Sequence, residues 1–333
     1  GTRFIHTPRD LATYVHDDAL YQAYLNACLI LLGMKAPFDP GFAALAGGNI
    51  DFMPSNTTGF ALFGGPHILS LVTEVATRGL KAVRFQKFQN HLRLRPEALA
   101  GRLARVQEIE ALPEIQAIPE IAGQFSAMAS QLMPVMNAIR AHNLGRGGED
   151  RPLLPMAFQE GSPMHPAYGA GHATVAGACV TVLKAFFNTK AELRWTGDGV
   201  RFLDPTDPME IQKGIGVPVQ FVTVDDGARL EMQTTDTPLT LLGELNKLAA
   251  NISIGRNMAG VHYYSDYYDS LRMGEEIAVG ILEEQAHGYP GDMTEDIFKM
   301  TLVPYDAADP FHMVCLVNGA RVTKDNLRMQ SNL

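Results

Sequence analysis

Cysteine is scarce in this chain, and the three present, Cys28, Cys179 and Cys315, lie far apart. None has the spacing of a CxxC or Cys/His motif, and an odd, scattered set builds no disulfide framework, so neither zinc nor a cross-linked scaffold is expected. Cys28 and Cys179 sit in apolar helical stretches and read as buried core thiols. Positive charge is also in deficit, with 27 Lys and Arg against 36 Asp and Glu and a formal net charge of -9. A surface that is acidic on average repels phosphate backbones and acidic membrane faces, so no nucleic-acid or membrane partner is expected. Long apolar runs are missing too; the longest, around residues 27–34, is too short to cross a bilayer, and the chain reads as soluble. Residues 1–6 do not read as a natural start. We therefore expect one domain over 1–333 that is part of a longer chain, with the compartment open, a secreted or periplasmic one included.

What is present is ample apolar material, 46% of 333 residues, enough for a sizeable core. Apolar residues recur at three- and four-residue steps over 10–34, 66–91, 119–143, 172–187 and 239–284, the last with a break near Gly260, and these segments read as helices. Pro96 suits the first turn of a further helix over 96–104. Residues 35–65 and 145–166 read as loops. Residues 188–236 read as an insertion with a β-hairpin, from alternation over 217–224 and 230–233, and a second hairpin is expected over 313–322 around Asn318-Gly319. The expected fold is mainly α: a helical bundle with an anion site between helices and minor β-hairpins in the insertion and near the C-terminus.

Three segments carry the chemistry. In the first, Lys87-Phe88-Gln89-Asn90-His91-Leu92-Arg93-Leu94-Arg95-Pro96, two cations can bracket an anion, Lys87 as a point charge and Arg95 as a planar fork. In the second, His165-Pro166-Ala167-Tyr168-Gly169-Ala170-Gly171-His172-Ala173, a glycine loop runs into an apolar helix whose unpaired N–H groups favour an anion, with Gly171 leaving room for it. In the third, Arg256 precedes His262, and Asp266 follows it at helical i, i+4 spacing, where a carboxylate can fix the imidazole tautomer. Each segment also fits a plainer reading: a solvated basic face, which Arg84 and Arg93 are taken to be; an ordinary loop-to-helix cap; and a structural His–Asp pair.

Together, Lys and Arg-Pro, then Gly-His, then Arg with His and Asp after it, resemble the vanadium-dependent haloperoxidases and the acid phosphatases that share their anion site. The stretches His165-Pro166, Gly171-His172-Ala173 and Gly255-Arg256-Asn257-Met258-Ala259-Gly260-Val261-His262-Tyr263 look like the red-algal type of bromoperoxidase. So does Leu11-Ala12-Thr13-Tyr14 with Asp18-Ala19-Leu20-Tyr21-Gln22-Ala23-Tyr24-Leu25-Asn26-Ala27-Cys28. The resemblance runs over nearly all of the chain and corresponds to the C-terminal half of the algal proteins. It implies a vanadate cofactor with His262 as the vanadium ligand. Lys87, Arg95 and Arg256 would neutralise the vanadate oxygens, with the Gly171 N–H adding a hydrogen bond. His172 would be the acid–base residue, His165 a second active-site histidine, Lys87 a donor to the bound oxidant, and Asp266 the group that orients His262. The implied partners are hydrogen peroxide, bromide or iodide, small organic acceptors and further copies of the chain.

Two departures from that pattern stand out. Ala170 replaces the serine usual before Gly-His, which removes a hydroxyl donor. The algal calcium loop has no equivalent in 41–58, where Asp51 is the one acidic residue, so no calcium is expected. Two other readings remain open: a phosphomonoesterase with His262 as nucleophile and His172 protonating the leaving group, and a structural subunit with a disabled pocket.

Overall fold

The computed structural model describes residues 3–39, 60–288, 299–302, 313–317 and 320–323. The stretch read as lacking a calcium loop and the Asn318-Gly319 turn lie outside these described residues. Thr7 starts helix α1 (Pro8–Tyr14) with a capping box: its hydroxyl accepts the Asp10 N–H at 3.2 Å, and the Asp10 carboxylate accepts the Thr7 N–H at 2.9 Å. The pattern read as one helix over 10–34 is two, because α1 stops at Tyr14 and α2 (Gln22–Gly33) begins beyond a break. Asp17 and Asp18 occupy that break, where short acidic side chains compete with helical hydrogen bonding.

Helix α3 (Gly65–Phe85) buries Ile68, Leu71, Val72, Val75, Ala76, Gly79 and Val83, one stripe at helical spacing. It continues into a wider π-type turn, Gln86–His91, closed by the Leu92 N–H on the Lys87 carbonyl at 3.1 Å. Leu92, at φ 46°, redirects the chain toward α4 (Pro96–Ala104), which carries Pro in its first turn. Two short helices, α5 (Val106–Glu110) and α6 (Pro113–Gln116), follow. The single helix expected over 119–143 is also two, α7 (Gln124–Gln131) and α8 (Met133–Gly145). Pro134 lacks an N–H for the interior ladder and falls in the first turn of α8 instead.

Helix α9 (Gly171–Phe186) is buried at every residue from Ala173 to Phe186 and forms the axis of the fold. The segment after it forms β1 (Glu192–Trp195), β2 (Val200–Leu203), the short α10 (Pro208–Lys213), β3 (Val217–Val224) and β4 (Arg229–Thr234). These strands make an antiparallel sheet in the order β2-β1-β3-β4. Helices α11 (Leu241–Met258) and α12 (Tyr264–Ala286) follow, and with α3 they surround α9. The strands β5 (Lys299–Thr301), β6 (Met313–Val317) and β7 (Ala320–Thr323) form a second antiparallel sheet; β5 packs on α9 and β6 on α12. The described residues are thus mainly helical with small antiparallel sheets.

Glycine sets how close α12 comes to α9. A methyl group at Gly177 would lie 1.9 Å from the Leu271 carbonyl oxygen, and one at Gly274 would lie 2.0 Å from that of Thr174. Lys184 and Glu275 form an ion pair at 3.5 Å across the same interface, with both side chains buried. Cys28, Cys179 and Cys315 are all buried. Gly177→Ala or Gly274→Ala should destabilise the fold by about 1–3 kcal/mol or more, since backbone must move to admit the methyl. Urea unfolding measures this, with Gly280→Ala as the control, because no atom lies within 4 Å of the added carbon there.

Candidate functional site

The site is built where the π-type turn, the loop before α9 and the turn between α11 and α12 meet. Lys87 is buried, and its ammonium donates to the Pro166 carbonyl at 2.7 Å and the Ala167 carbonyl at 3.3 Å. Arg95 is planted between two segments: Nε donates to the His165 carbonyl at 2.8 Å and Nη2 to His165 Nδ1 at 2.9 Å. Its Nη1 donates to the Val261 carbonyl at 2.7 Å and to His262 Nε2 at 3.1 Å. Arg256, in the last turn of α11, donates from Nη1 to the Val15 carbonyl at the end of α1 at 2.9 Å, while its Nε is buried with no hydrogen-bond partner among the described residues. Close packing of α1 on α11 allows this, as Gly255 lies against Val15 and Leu11.

His262 and His172 are held by opposite nitrogens. His262 sits between Arg95 and Asp266, with Nδ1 at 3.0 Å from Asp266 Oδ2. A guanidinium can only donate, so Nε2 carries the lone pair and Nδ1 the hydrogen. Burial, with the charges of Arg95 and Lys87, pushes the imidazole down to about 3, and it is neutral. Asp266 is fully buried and closes a capping box on α12, accepting the Tyr263 N–H at 3.0 Å. Burial opposes its charge, but the hydrogen bonds from His262, Tyr263 and Arg93 outweigh this and hold its pKa below the usual range. His172, in the first turn of α9, is held instead by Nε2, 2.7 Å from Asp18 Oδ1. Its Nδ1 has no hydrogen bond to any described residue. His165 lies on the loop surface with its ring partly desolvated against Arg95, and that desolvation, with the charges of Lys87 and Arg95, pushes it down to about 4.

Gly171 opens α9, and the first backbone bond of that helix runs from the Thr174 N–H to the Ala170 carbonyl, so the N–H groups of residues 171–173 lie ahead of the ladder. A methyl at Gly171 would meet Leu20 and Leu80 at 3.5 and 3.7 Å, ordinary contacts, so packing alone does not demand glycine. Ala170 occupies the cap position with no side chain to offer, and its N–H donates to Ser270 Oγ at 2.8 Å.

Two residues at the site were not read from the sequence as part of it. Arg93 is not on a solvated face: its Nη1 donates to Asp266 Oδ1 at 2.6 Å and to Ser265 Oγ at 2.9 Å. Asp18 pairs with His172, and its signal in the sequence was an acidic pair, Asp17-Asp18, interrupting an apolar helical pattern. A cavity of about 380 Å³ opens beside Arg256 and Val261, walled by His16, Asp17, Phe158 and Glu160.

Chemically, the arrangement suits an oxyanion. Lys87, Arg95 and Arg256 are 3%, 6% and 7% exposed, and none pairs with a carboxylate among the described residues. Buried charges without counter-charges are costly. The strain is visible in Lys87, which burial and the neighbouring Arg95 and Arg256 pull down to about 7. Arg95 falls to about 10 for the same reasons. Among the described residues there is no cluster of three or more His, Cys, Asp or Glu that could hold a metal cation.

Residues 146–287 match the VCPO second helical-bundle domain family. The chain is 48% identical over 292 residues to the vanadium-dependent bromoperoxidase of Corallina pilulifera, a match that takes in 87% of this chain and 44% of that protein. It is 34% identical over 296 residues to that of Ascophyllum nodosum, taking in 88% of this chain and 46% of the relative. Among solved structures, the homohexameric second vanadate-dependent bromoperoxidase (AnII) of Ascophyllum nodosum aligns with a TM-score of 0.66 and 28% identity, over 97% of this chain and 51% of that one. The chain is therefore a homologue of the vanadium-dependent bromoperoxidases along nearly its whole length, and it spans about half the length of the relatives it matches.

Were an anion held here, Lys87 would make its binding pH-dependent. Its ammonium is charged below about 7 and loses its proton above, and a bound anion raises that value. Affinity for sulfate, whose charge is constant in this range, should be full below pH 7 and fall as pH rises, while Arg95 stays charged until about 10. Calorimetric titration should find this slope in the natural protein and a weak, flat profile in Lys87→Met.

Proposed function

We propose that this chain carries the catalytic half of a vanadate-dependent haloperoxidase, which uses hydrogen peroxide to oxidise bromide or iodide to a hypohalous species that halogenates small organic acceptors. The observation that carries the reading is the lone-pair nitrogen Nε2 of neutral His262, met by Arg95 and held among three buried cations that form no ion pair with a carboxylate among the described residues. The likeness to vanadium-dependent bromoperoxidases supports vanadate as the anion, and the hexameric AnII structure supports assembly with further copies of the chain.

The residues fit the group. An anion supplies the negative charge that Lys87, Arg95 and Arg256 lack, and the partnerless Nε of Arg256 gives it a donor. Nε2 of His262, on a ring fixed by Asp266, is the ligand for vanadium. The proposed site thus lies between helices, with the first turn of α9 adding the N–H of Gly171. Bound vanadate would supply a Lewis acid that activates hydrogen peroxide without a change of oxidation state.

His172 takes a proton from incoming peroxide and returns it, with Asp18 stabilising the charged ring between these events. Lys87, with its ammonium held by the Pro166 and Ala167 carbonyls, would be the hydrogen-bond donor and positive charge that favours electron withdrawal at the held group. Halide is drawn in by the same excess of positive charge, and neutral His165 stands at the entrance as a hydrogen-bonding group rather than a competing cation. The cavity beside Arg256 offers small reactants an approach.

Orthovanadate-loaded protein should brominate a phenolic dye given peroxide and bromide, while unloaded protein hydrolyses no phosphate ester. Ester hydrolysis without any dye bromination at saturating vanadate would sink the proposal. His172→Ala should lower turnover by about 100-fold or more in steady-state assays. Ala170→Ser should tighten vanadate about 10–100-fold by restoring a hydroxyl donor, read by equilibrium dialysis.

A further inference from the structure

Arg93 is not among the cations proposed to hold the anion, but it touches all three segments of the site. Its backbone carbonyl accepts the Ala167 N–H from the loop before α9 at 2.9 Å. Its guanidinium lies over the ring of Tyr168 in that loop, 4.9 Å from the centroid, and over Tyr263 at 5.6 Å. One nitrogen, Nη1, reaches both Ser265 and Asp266 in the first turn of α12.

The contact with Asp266 is the informative one. Oδ2 of that carboxylate is committed to His262 Nδ1 and the Tyr263 N–H, and Oδ1 is taken by Arg93 in a charge-assisted bond of 2.6 Å. Asp266 is fully buried, and the charges of Lys87 and Arg95 also reach it. Without Arg93, the free oxygen would face those cations with no bond to fix its direction. The carboxylate could then rotate off the imidazole, leaving the Nδ1–H unheld and the direction of Nε2 unfixed.

We propose that Arg93 is a positioning residue for His262: by anchoring Asp266, it keeps the Nδ1–H bonded and Nε2 aimed at the anion. The two tyrosine rings hold the guanidinium in place although its side chain is 39% exposed. This inference rests on the reading of His262 as the vanadium ligand.

Two anions separate this role from a general structural one. Sulfate and vanadate both use Lys87, Arg95 and Arg256, but only vanadate adds a bond to His262. In calorimetric titrations, Arg93→Met should weaken vanadate about 10–100-fold, the range for partners of metal ligands, and leave sulfate unchanged. Arg93→Lys keeps the charge but not the fork, and should recover part of the loss. Equal weakening of both anions, or undiminished vanadate affinity in Arg93→Met, overturns the proposal. Should Arg93→Met not fold, Arg93→Gln is judged by the same criteria. A second readout needs no vanadate: ¹⁵N imidazole shifts of His262 should show a single Nδ1–H tautomer in the natural protein and a mixture in the variant, and an unchanged tautomer counts against Arg93. A natural protein that binds vanadate no tighter than sulfate, with His262 still a single tautomer that Arg93→Met disturbs, would instead refute vanadate as the ligand.

Discussion

Helices bring their backbones into contact only where side chains are absent, and Gly177 and Gly274 are where α9 and α12 do so. That contact fixes how α9 lies along α12. One turn toward the site, the Ala170 N–H meets Ser270 Oγ, and one turn further along α12 lies Asp266. The helix start that offers free N–H groups and the carboxylate that orients His262 are thereby set on one rigid pair. The loop joining them to Lys87 and Arg95 needs only carbonyls: those of residues 165, 166 and 167 accept from these two cations. Rigid helices supply direction, and the cations hold the loop against them.

The electrostatic design separates two kinds of positive charge. Arg93 is matched by Asp266, and the pair is neutral as a unit. Lys87, Arg95 and Arg256 form no ion pair among the described residues; Asp266 acts on the first two and Asp18 on the third only from a distance, and burial pulls the pKa of each downward. In a chain of net charge -9, this local excess is conspicuous. Neutral protein dipoles, chiefly carbonyl oxygens, hold the three side chains in position without cancelling their field.

Much of this was legible in the sequence because periodicity and short motifs are local. The stripe from Ile68 to Val83 and the break at Gly260 follow from spacing alone. The splits within 10–34 and 119–143 were missed because apolar spacing continues across a turn; the stops lie in Asp17-Asp18 and Pro134, weak signals inside a strong pattern. The short strands β1 and β2 were missed for want of length, since four residues carry little alternation. Asp18 and Arg93 show the deeper limit. His172 and Asp18 are separated by 154 residues in the chain, and Arg93 and Asp266 by 173. No spacing rule links such pairs, and an arginine among other basic residues looks solvated until its partner is known.

The burial of the cysteines has a consequence for how long such a protein could work. Thiolate, not thiol, is the form that oxidants attack first. Burial pushes Cys28 up to about 12 and raises Cys179 as well, and Cys315 is also out of solvent. Under the proposed function, a hypohalous product would meet this protein first. With its thiols out of solvent, the oxidisable sulfur left at the surface is methionine, Met164 and Met209 above all, and oxidative damage would fall there first.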